Sequence, residues 1–470
     1  MVLPYLPRHI VLSCLMLSAC AELPAPALPK QLPPSWHSAG VQNAQGPAPD
    51  LRNWWKAFEA PGLNALVEQA LAQNLPLAQA GSRLRQARLL EGRDKTQFLP
   101  TLGVSIRTVQ DVAAIDSYLH AGLDATWELG LFGARQAAER GGQARVEQAS
   151  AAEQAARVTL VAEVVRQYLV LQAARQDEAW RLELLALDER AAGLHAVRRA
   201  AHLGTMEERQ TAEVRAALAR AQLSAPRGAA AQARQALAVL LADFGPHPQW
   251  DGRPTPPPLL APFRLRQVPA DLLRFRPDIA AAQADVTLAL SDLGQARAEQ
   301  YPRLVLGLSF LYARNITQNR RIHQGEGPSL GPLVDIPLFD WGRRQAAADA
   351  RQEALDASLL AYRQALVVAV GETESALSTL SQAFERAMQL ETARQLASRQ
   401  VTQAATRLRL GLASELDRLD ADRTLLQARM DLDDAQWACA QAVVVLYKSL
   451  GGAPLAETAT AAPRSVGLTP

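Results

Sequence analysis

Aromatic residues make up only 5% of the 470 residues, although hydrophobic residues reach 49%. The apolar content is therefore mainly alanine, leucine and valine, which suits long helices and poorly suits one large aromatic-rich core. An excess of charge of one sign is missing too. Lys and Arg number 49 against 47 Asp and Glu, a formal +2, with both signs interspersed. That balance gives no electrostatic footprint for nucleic acid. The sequence has no Gly-rich phosphate loop, no serine nucleophile elbow and no zinc motif, so an enzyme is the poorest reading. His195 and His202 form the one near pair of histidines in a helical pattern, without carboxylate or cysteine partners at ligand spacing. Metal export finds no support either, because no Met or His stripe lines a helix. Long hydrophobic runs are absent as well: beyond the N-terminus no stretch reaches the roughly 18 consecutive apolar residues of a membrane-spanning helix. Any crossing of a membrane is expected to be made by strands.

The first 19 residues read as a targeting segment, with Arg8 before the short apolar run Ile10–Leu17. The run ends in Leu17-Ser18-Ala19-Cys20, which resembles the lipobox of bacterial lipoproteins. The resemblance implies cleavage before Cys20 and a covalent lipid on its thiol; the alternative is an ordinary secretory signal with an incidental cysteine. Ala21, rather than Asp, follows Cys20, which by the same resemblance directs the chain to the outer membrane. No cofactor is expected. Of the three cysteines, Cys14 leaves with the signal and Cys20 is capped, so Cys439 stands alone, as a small buried hydrophobe on a helix.

The body of the chain is a long internal repeat. Pro302 lies 202 positions after Pro100, and the same offset relates Ile279 to Leu77, Gly294 to Gly92 and Leu304 to Leu102. Such self-similarity dictates architecture before any local motif does. Each half runs helix, strand pair, then a very long helix. Strands are expected at about 101–110 and 117–127 in the first half, and 303–313 and 329–338 in the second. In them apolar residues such as Leu102, Val104 and Ile106 alternate with Gly103, Ser105 and Arg107. Strands of about ten residues suffice to cross a bilayer when tilted. Four cannot close a barrel, and open edges are not tolerated in lipid, so either several chains share one barrel or the strands are two half-buried hairpins of a soluble domain.

After the second hairpin, Leu355, Leu359, Tyr362, Leu366, Ala369, Thr373, Ala376, Leu380, Ala383, Ala387 and Leu390 recur in fours and threes, a coiled-coil seam. This helix is expected to run to Leu410, roughly 100 Å of rod at about 1.5 Å per residue. It turns at Leu410-Gly411-Leu412, and Leu203-Gly204-Thr205, 207 positions earlier, is the expected counterpart turn. The expected organisation is a signal peptide at 1–19, an anchored extended leader at 20–53 and a first repeat at 54–244. A Pro-rich connector at 245–269, a second repeat at 270–452 and a flexible tail at 453–470 complete it. Phe98, Trp127, Tyr301, Phe339 and Trp341 fall at strand–helix junctions, as an interfacial aromatic belt or as core packing.

The chain resembles the TolC-like outer-membrane efflux protein family, in its lipoprotein branch. The resemblance rests on Cys20, the Trp54-Trp55 opening, Arg276-Pro277-Asp278-Ile279, Ala296–Pro302, Ile336-Pro337-Leu338-Phe339-Asp340 and Leu446-Tyr447-Lys448-Ser449-Leu450-Gly451-Gly452. It implies a mainly helical fold with four transmembrane strands per chain and a homotrimer sharing one β-barrel and one α-helical barrel. It further implies partnership with a periplasmic adaptor and an inner-membrane pump of the resistance–nodulation–division type, exporting small molecules; type I protein secretion is the alternative. Asp417 and Asp420, three apart on one helix face, match the family's Asp-x-x-Asp at the periplasmic constriction. Their other reading is a solvated face salt-bridged to Arg418 or Arg423. The turns Leu203-Gly204-Thr205 and Leu410-Gly411-Leu412 match the adaptor-docking positions. The chain departs from some members in having Leu408 and Ala413 where a Tyr and an Arg lock the tip.

Overall fold

A computed structural model describes residues 51–111, 116–245, 250, 255–258, 273, 276–315 and 325–452. The expected signal, lipidation at Cys20, most of the leader and connector, and the tail lie outside them. A 3-10 turn at Trp54–Phe58 is followed by α1 (Pro61–Gln73), α2 (Leu75–Thr96), β1 (Thr101–Asp111) and β2 (Asp116–Glu128). Next come α3 (Ala134–Ala200), α4 (Met206–Ala221) and α5 (Ser224–Leu240). The second half supplies α6 (Pro277–Ala298), β3 (Arg303–Asn315), β4 (Gly325–Asp335), α7 (Arg343–Arg409) and α8 (Glu415–Ser449). The chain divides into two units, the first containing 81–152 and 278–365, the second 31–80, 153–277 and 366–470.

In the first unit the strands form one antiparallel sheet in the order β1-β2-β3-β4. Because side chains alternate along a strand, the register decides which of them share a face. Val104 pairs with Leu123, Leu123 with Phe310, and Leu304 with Val334, so one face is apolar over most of its length, with Thr108 and Arg314 at its far end. The opposite face is more polar, although Val305, Leu311 and Leu333 lie on it. Asp124 accepts hydrogen bonds from Ser105 Oγ at 3.0 Å and Ser309 Oγ at 2.6 Å, joining three strands. Thr101 and Thr126 hydroxyls bond at 2.8 Å, and Arg303 Nε donates to Glu128 at 2.9 Å. β4 starts and stops earlier than its alternation suggests, leaving Ile336 and Leu338 outside the strand. Pro337 has no N–H to extend the ladder, so pairing ends before it.

Close helix approach in this unit needs a missing side chain. A Cβ on Gly141 of α3 would sit 2.4 Å from Ser291 Oγ of α6, which itself donates to Ala137 O at 2.5 Å. Ser291 is completely buried.

In the second unit the α7 seam from Leu366 to Leu390 is buried or half-buried at every position of the heptad pattern. α8 buries Leu419, Leu426, Met430, Trp437, Ala440, Val444 and Tyr447. Leu184 of α3 packs with Leu426 and Met430, flanked by Trp180 and Leu187. Burial raises the Asp433 carboxyl above its usual range, opposed by the hydrogen bond from Trp180 Nε1 at 2.6 Å. Cys439 is free and buried, which pushes its thiol up.

α7 contains an 18-residue window of mean hydropathy 1.3, apolar enough by length and composition to cross a membrane, and only 22% of that window is buried. The average is raised by Leu, Val and Ala around charged residues such as Arg363, so the window holds no run of about 18 consecutive apolar residues.

The structure also fixes the repeat more sharply. α2 and β1 map onto α6 and β3 with an offset of 202, as Leu75 onto Pro277 and Thr101 onto Arg303. From the second strand onward the offset is 209. α3 and α7 are both 67 residues long and begin at Ala134 and Arg343. Phe132 and Trp341, with φ of 54° and 58°, and Gly133 and Gly342, at 84° and 80°, occupy equivalent left-handed positions before them.

Candidate gate, helix turns and strand face

The two helix turns are built alike but not where glycine suggests. In the second, Leu412 N–H returns to Arg407 O at 2.8 Å around Gly411, whose φ is 69°. In the first, Leu203 N–H returns to Arg198 O at 2.8 Å around His202, whose φ is 60°. This is the usual left-handed helix stop, in which glycine costs nothing and a residue with a Cβ is strained. The counterpart of Gly411 is thus His202, 209 positions earlier, and not Gly204. Gly204 misled because it falls one residue before a helix cap, in a conformation open to other residues. Replacing His202 by glycine is expected to stabilise the chain by about 1 kcal/mol, read as a rise in melting temperature in detergent.

The following helices start with matching capping boxes. Thr205 Oγ1 accepts from Glu208 N–H at 3.1 Å while Glu208 accepts from Thr205 N–H at 3.1 Å. Ser414 Oγ accepts from Asp417 N–H at 3.2 Å while Asp417 Oδ2 accepts from Ser414 N–H at 2.7 Å and its hydroxyl at 2.8 Å. Each pair satisfies two donors that a helix start otherwise leaves orphaned. Arg198 donates to Leu203 O at 3.2 Å and Arg407 to Leu412 O at 3.4 Å, tying each turn to its own helix end. Leu203, Leu410 and Leu412 are exposed, by 66–71%.

Asp417 therefore has a capping role that its spacing did not reveal, although Ser-x-x-Asp ahead of an apolar run is a legible sign of it. Hydrogen bonds from Ser414 hold its carboxyl below the usual carboxylate range. Asp417 and Asp420 are both exposed. Arg418 and Arg423 are engaged elsewhere, Arg418 with Glu415 at 2.7 Å and Asp422 at 2.8 Å, Arg423 with Asp188 at 3.0 Å, whereas the charges of Arg407 and Arg198 bear on Asp417. Leu408 and Ala413 flank Gly411, and His195 keeps a buried, unpartnered Nδ1 one helical stretch before His202.

The junction aromatics divide. Phe98 is 4% exposed and belongs to the core, and its carbonyl accepts from Trp127 Nε1 at 2.9 Å. Tyr301 is half exposed and stacks on Phe132 at 4.9 Å. Phe339 and Trp341 lie 4.8 Å apart and are 75% and 86% exposed. A cavity of about 630 Å³ at this end of the sheet is lined by Phe98, Glu128, Tyr301, Arg303, Asp335 and Arg344, among others. Among the described residues no three His, Cys, Asp or Glu side chains gather as metal ligands.

The short motifs of the sequence turn out to hold one another. Trp54 Nε1 donates to Gly452 O at 3.1 Å, and its ring stacks on Tyr447 at 5.0 Å. A Cβ on Gly452 would meet the Trp54 ring at 3.1 Å. Arg276 donates to Ser449 O at 2.5 Å and to Glu372 at 2.6 Å. These motifs are fastenings of the second unit.

The model of the family described as outer membrane efflux protein matches residues 66–243 and 268–452, one match for each repeat. The pyoverdine export outer membrane protein OpmQ of Pseudomonas aeruginosa is 32% identical over 469 residues, covering 94% of this chain and 96% of OpmQ. The solvent efflux pump outer membrane protein SrpC of Pseudomonas putida is 27% identical, covering 93% of this chain and 96% of SrpC. The solved outer-membrane channel OprN superposes with a TM-score of 0.79 at 28% identity, covering 93% of this chain and all of OprN. A chain that repeats strand pair and long helix twice, and that matches this family in both halves, belongs to the outer membrane efflux proteins, non-enzymatic channels of TolC-like fold.

Proposed function

We propose that three copies of this chain form a passive exit duct in the outer membrane, anchored through a lipid on Cys20. In this reading a periplasmic adaptor docks at the turns around Leu203, Gly204, Thr205, Leu410, Gly411 and Leu412. An inner-membrane pump of the resistance–nodulation–division type delivers drugs and other small toxic compounds. The observation that carries it is the four-stranded sheet with one apolar face, one hydrogen-bonded polar face and two open edges. A closed barrel from several chains leaves no edge in lipid, with the apolar face outward and Ser105, Asp124 and Ser309 inward. The same reading assigns 54–244 and 270–452 as the two repeats and 245–269 as their connector. Names of relatives that specify pyoverdine and solvent favour small cargo over secreted protein.

The purified chain is expected to run as a trimer in detergent and to conduct ions in planar bilayers. A deletion strain is expected to become sensitive to a panel of antibiotics, dyes and solvents while protein secretion is unchanged. A monomer without conductance would sink the duct. Lost protein secretion with unchanged sensitivity would instead favour a type I secretion role.

A further inference from the structure

We infer that the open edge of β4 pairs with β1 of a second copy in one defined register, set by the pairing of β2 with β3 inside the chain. The inference rests on the shared-barrel reading and adds the residues of its seam. β1 is the repeat counterpart of β3, and β4 is the counterpart of β2. Thr101 maps to Arg303 with an offset of 202, and Thr126, its partner, maps to Asp335, the partner of Arg303, with an offset of 209. The β2–β3 junction therefore already shows how the second strand of one repeat receives the first strand of the next. Both edges of the sheet are the unpaired versions of strands that pair this way, so a second copy can add head to tail by the same geometry, and such an interface closes into a ring.

Carrying the pairs across gives the seam. Asp124 opposite Ser309 becomes Leu333 opposite Arg107 of the partner subunit, and Thr126 opposite Gly307 becomes Asp335 opposite Ser105 of the partner subunit. Ala125 opposite Leu308 becomes Val334 opposite Ile106 of the partner subunit, which keeps the apolar faces continuous. The bond from Leu129 N–H to Leu304 O, 3.3 Å, becomes one from Leu338 N–H to the partner subunit's Leu102 carbonyl. By the alternation of the ladder, Pro332 faces the same seam and keeps only its acceptor, so that rung is single.

The aromatic contact beside the junction transfers in the same way. Phe132 stacks on Tyr301 within the chain. Its counterpart Trp341 is 86% exposed, and the counterpart of Tyr301, Leu99, is 47% exposed. Trp341 is assigned to cover Leu99 of the partner subunit.

Disulfide trapping tests the register, since directly opposed strand residues have Cα atoms about 4.5–5.5 Å apart, within disulfide range. In a Cys439→Ala background, Ser105→Cys is combined with Asp335→Cys, and Arg107→Cys with Leu333→Cys. The same four substitutions recombined, Ser105→Cys with Leu333→Cys and Arg107→Cys with Asp335→Cys, form two slipped controls. Oxidation of outer membranes is expected to give reducible covalent dimers and trimers at least about fivefold more efficiently for the two in-register pairs. Cross-linking of a slipped pair as efficient as that of the in-register pairs, or none from any pair in a chain that runs as a trimer by native mass, overturns the register. A unsubstituted chain that is monomeric by native mass overturns the shared barrel itself.

Discussion

Removing the charges of Asp417 and Asp420 together is expected to raise the single-channel conductance of the assembled duct at least about twofold and to weaken block by multivalent cations roughly tenfold or more. Both carboxylates are exposed, and the neighbouring Arg418 and Arg423 are paired with Glu415, Asp422 and Asp188. Three copies would place six exposed carboxylates around one axis, where a multivalent cation gains from several at once. Because Asp417 also caps α8, alanine there would cost about 1 kcal/mol of helix-start stability as well as the charge. Asp417→Asn with Asp420→Asn keeps an acceptor for Ser414 N–H and removes only the charge. Planar-bilayer recordings with each pair separate the effects; unchanged conductance and block in the asparagine pair would remove the gate.

Acid offers a second reading of the same ring. The folded chain holds the Asp417 carboxyl below its usual range through Ser414. Its charge, and its contribution to the cap, are therefore fully present above the ordinary carboxylate pKa and are lost only as pH falls through the lower folded value. Cation block in an Asp420→Asn chain, which keeps Asp417, should persist through mild acidification.

Replacing Arg276 by methionine is expected to cost about 3 kcal/mol, measured as an early loss of the folded oligomer on heating in detergent. Its side chain is 8% exposed, and it bonds the carbonyl of a buried residue at the end of α8, Ser449 O. Glu372, its carboxylate partner, is 53% exposed and can be rehydrated, so the ion pair contributes less than the buried carbonyl. Lysine cannot bond both partners from a planar fork, so Arg276→Lys is expected to recover only part of the loss. An unchanged melting profile for Arg276→Met would show that the fastening is dispensable.

Legibility in the sequence followed how strictly physics constrains each element. The α7 seam was readable because a buried stripe must recur in threes and fours for the whole length of the helix. The strands were readable from alternation, and the sheet register keeps Leu102, Leu123 and Phe310 on the alternating faces they were read from. The first turn was misplaced by two residues because glycine was trusted as the marker of the left-handed position, which His202 occupies instead. The break between α4 and α5 at Gln222–Leu223 has its mark in Pro226, which lies in the first turn of the next helix, the one helical place where its missing N–H costs no hydrogen bond. The part played by Asp417 in the cap is legible in Ser414, three residues before it at the start of a helix.

The two offsets also say where this chain tolerates foreign sequence. From Thr101 to Thr126 is 25 positions, but from Arg303 to Asp335 is 32, so one hairpin carries seven residues that the other does without. Across the two 67-residue helices and the turns that follow them, not one residue has been gained or lost between the halves. A single insertion in a helix rotates everything beyond it by about 100° and swings the apolar stripe off its neighbour, whereas a hairpin connection absorbs added length without moving either strand. An epitope or a fluorophore tag therefore belongs between β1 and β2 or between β3 and β4, and the helices are closed to it.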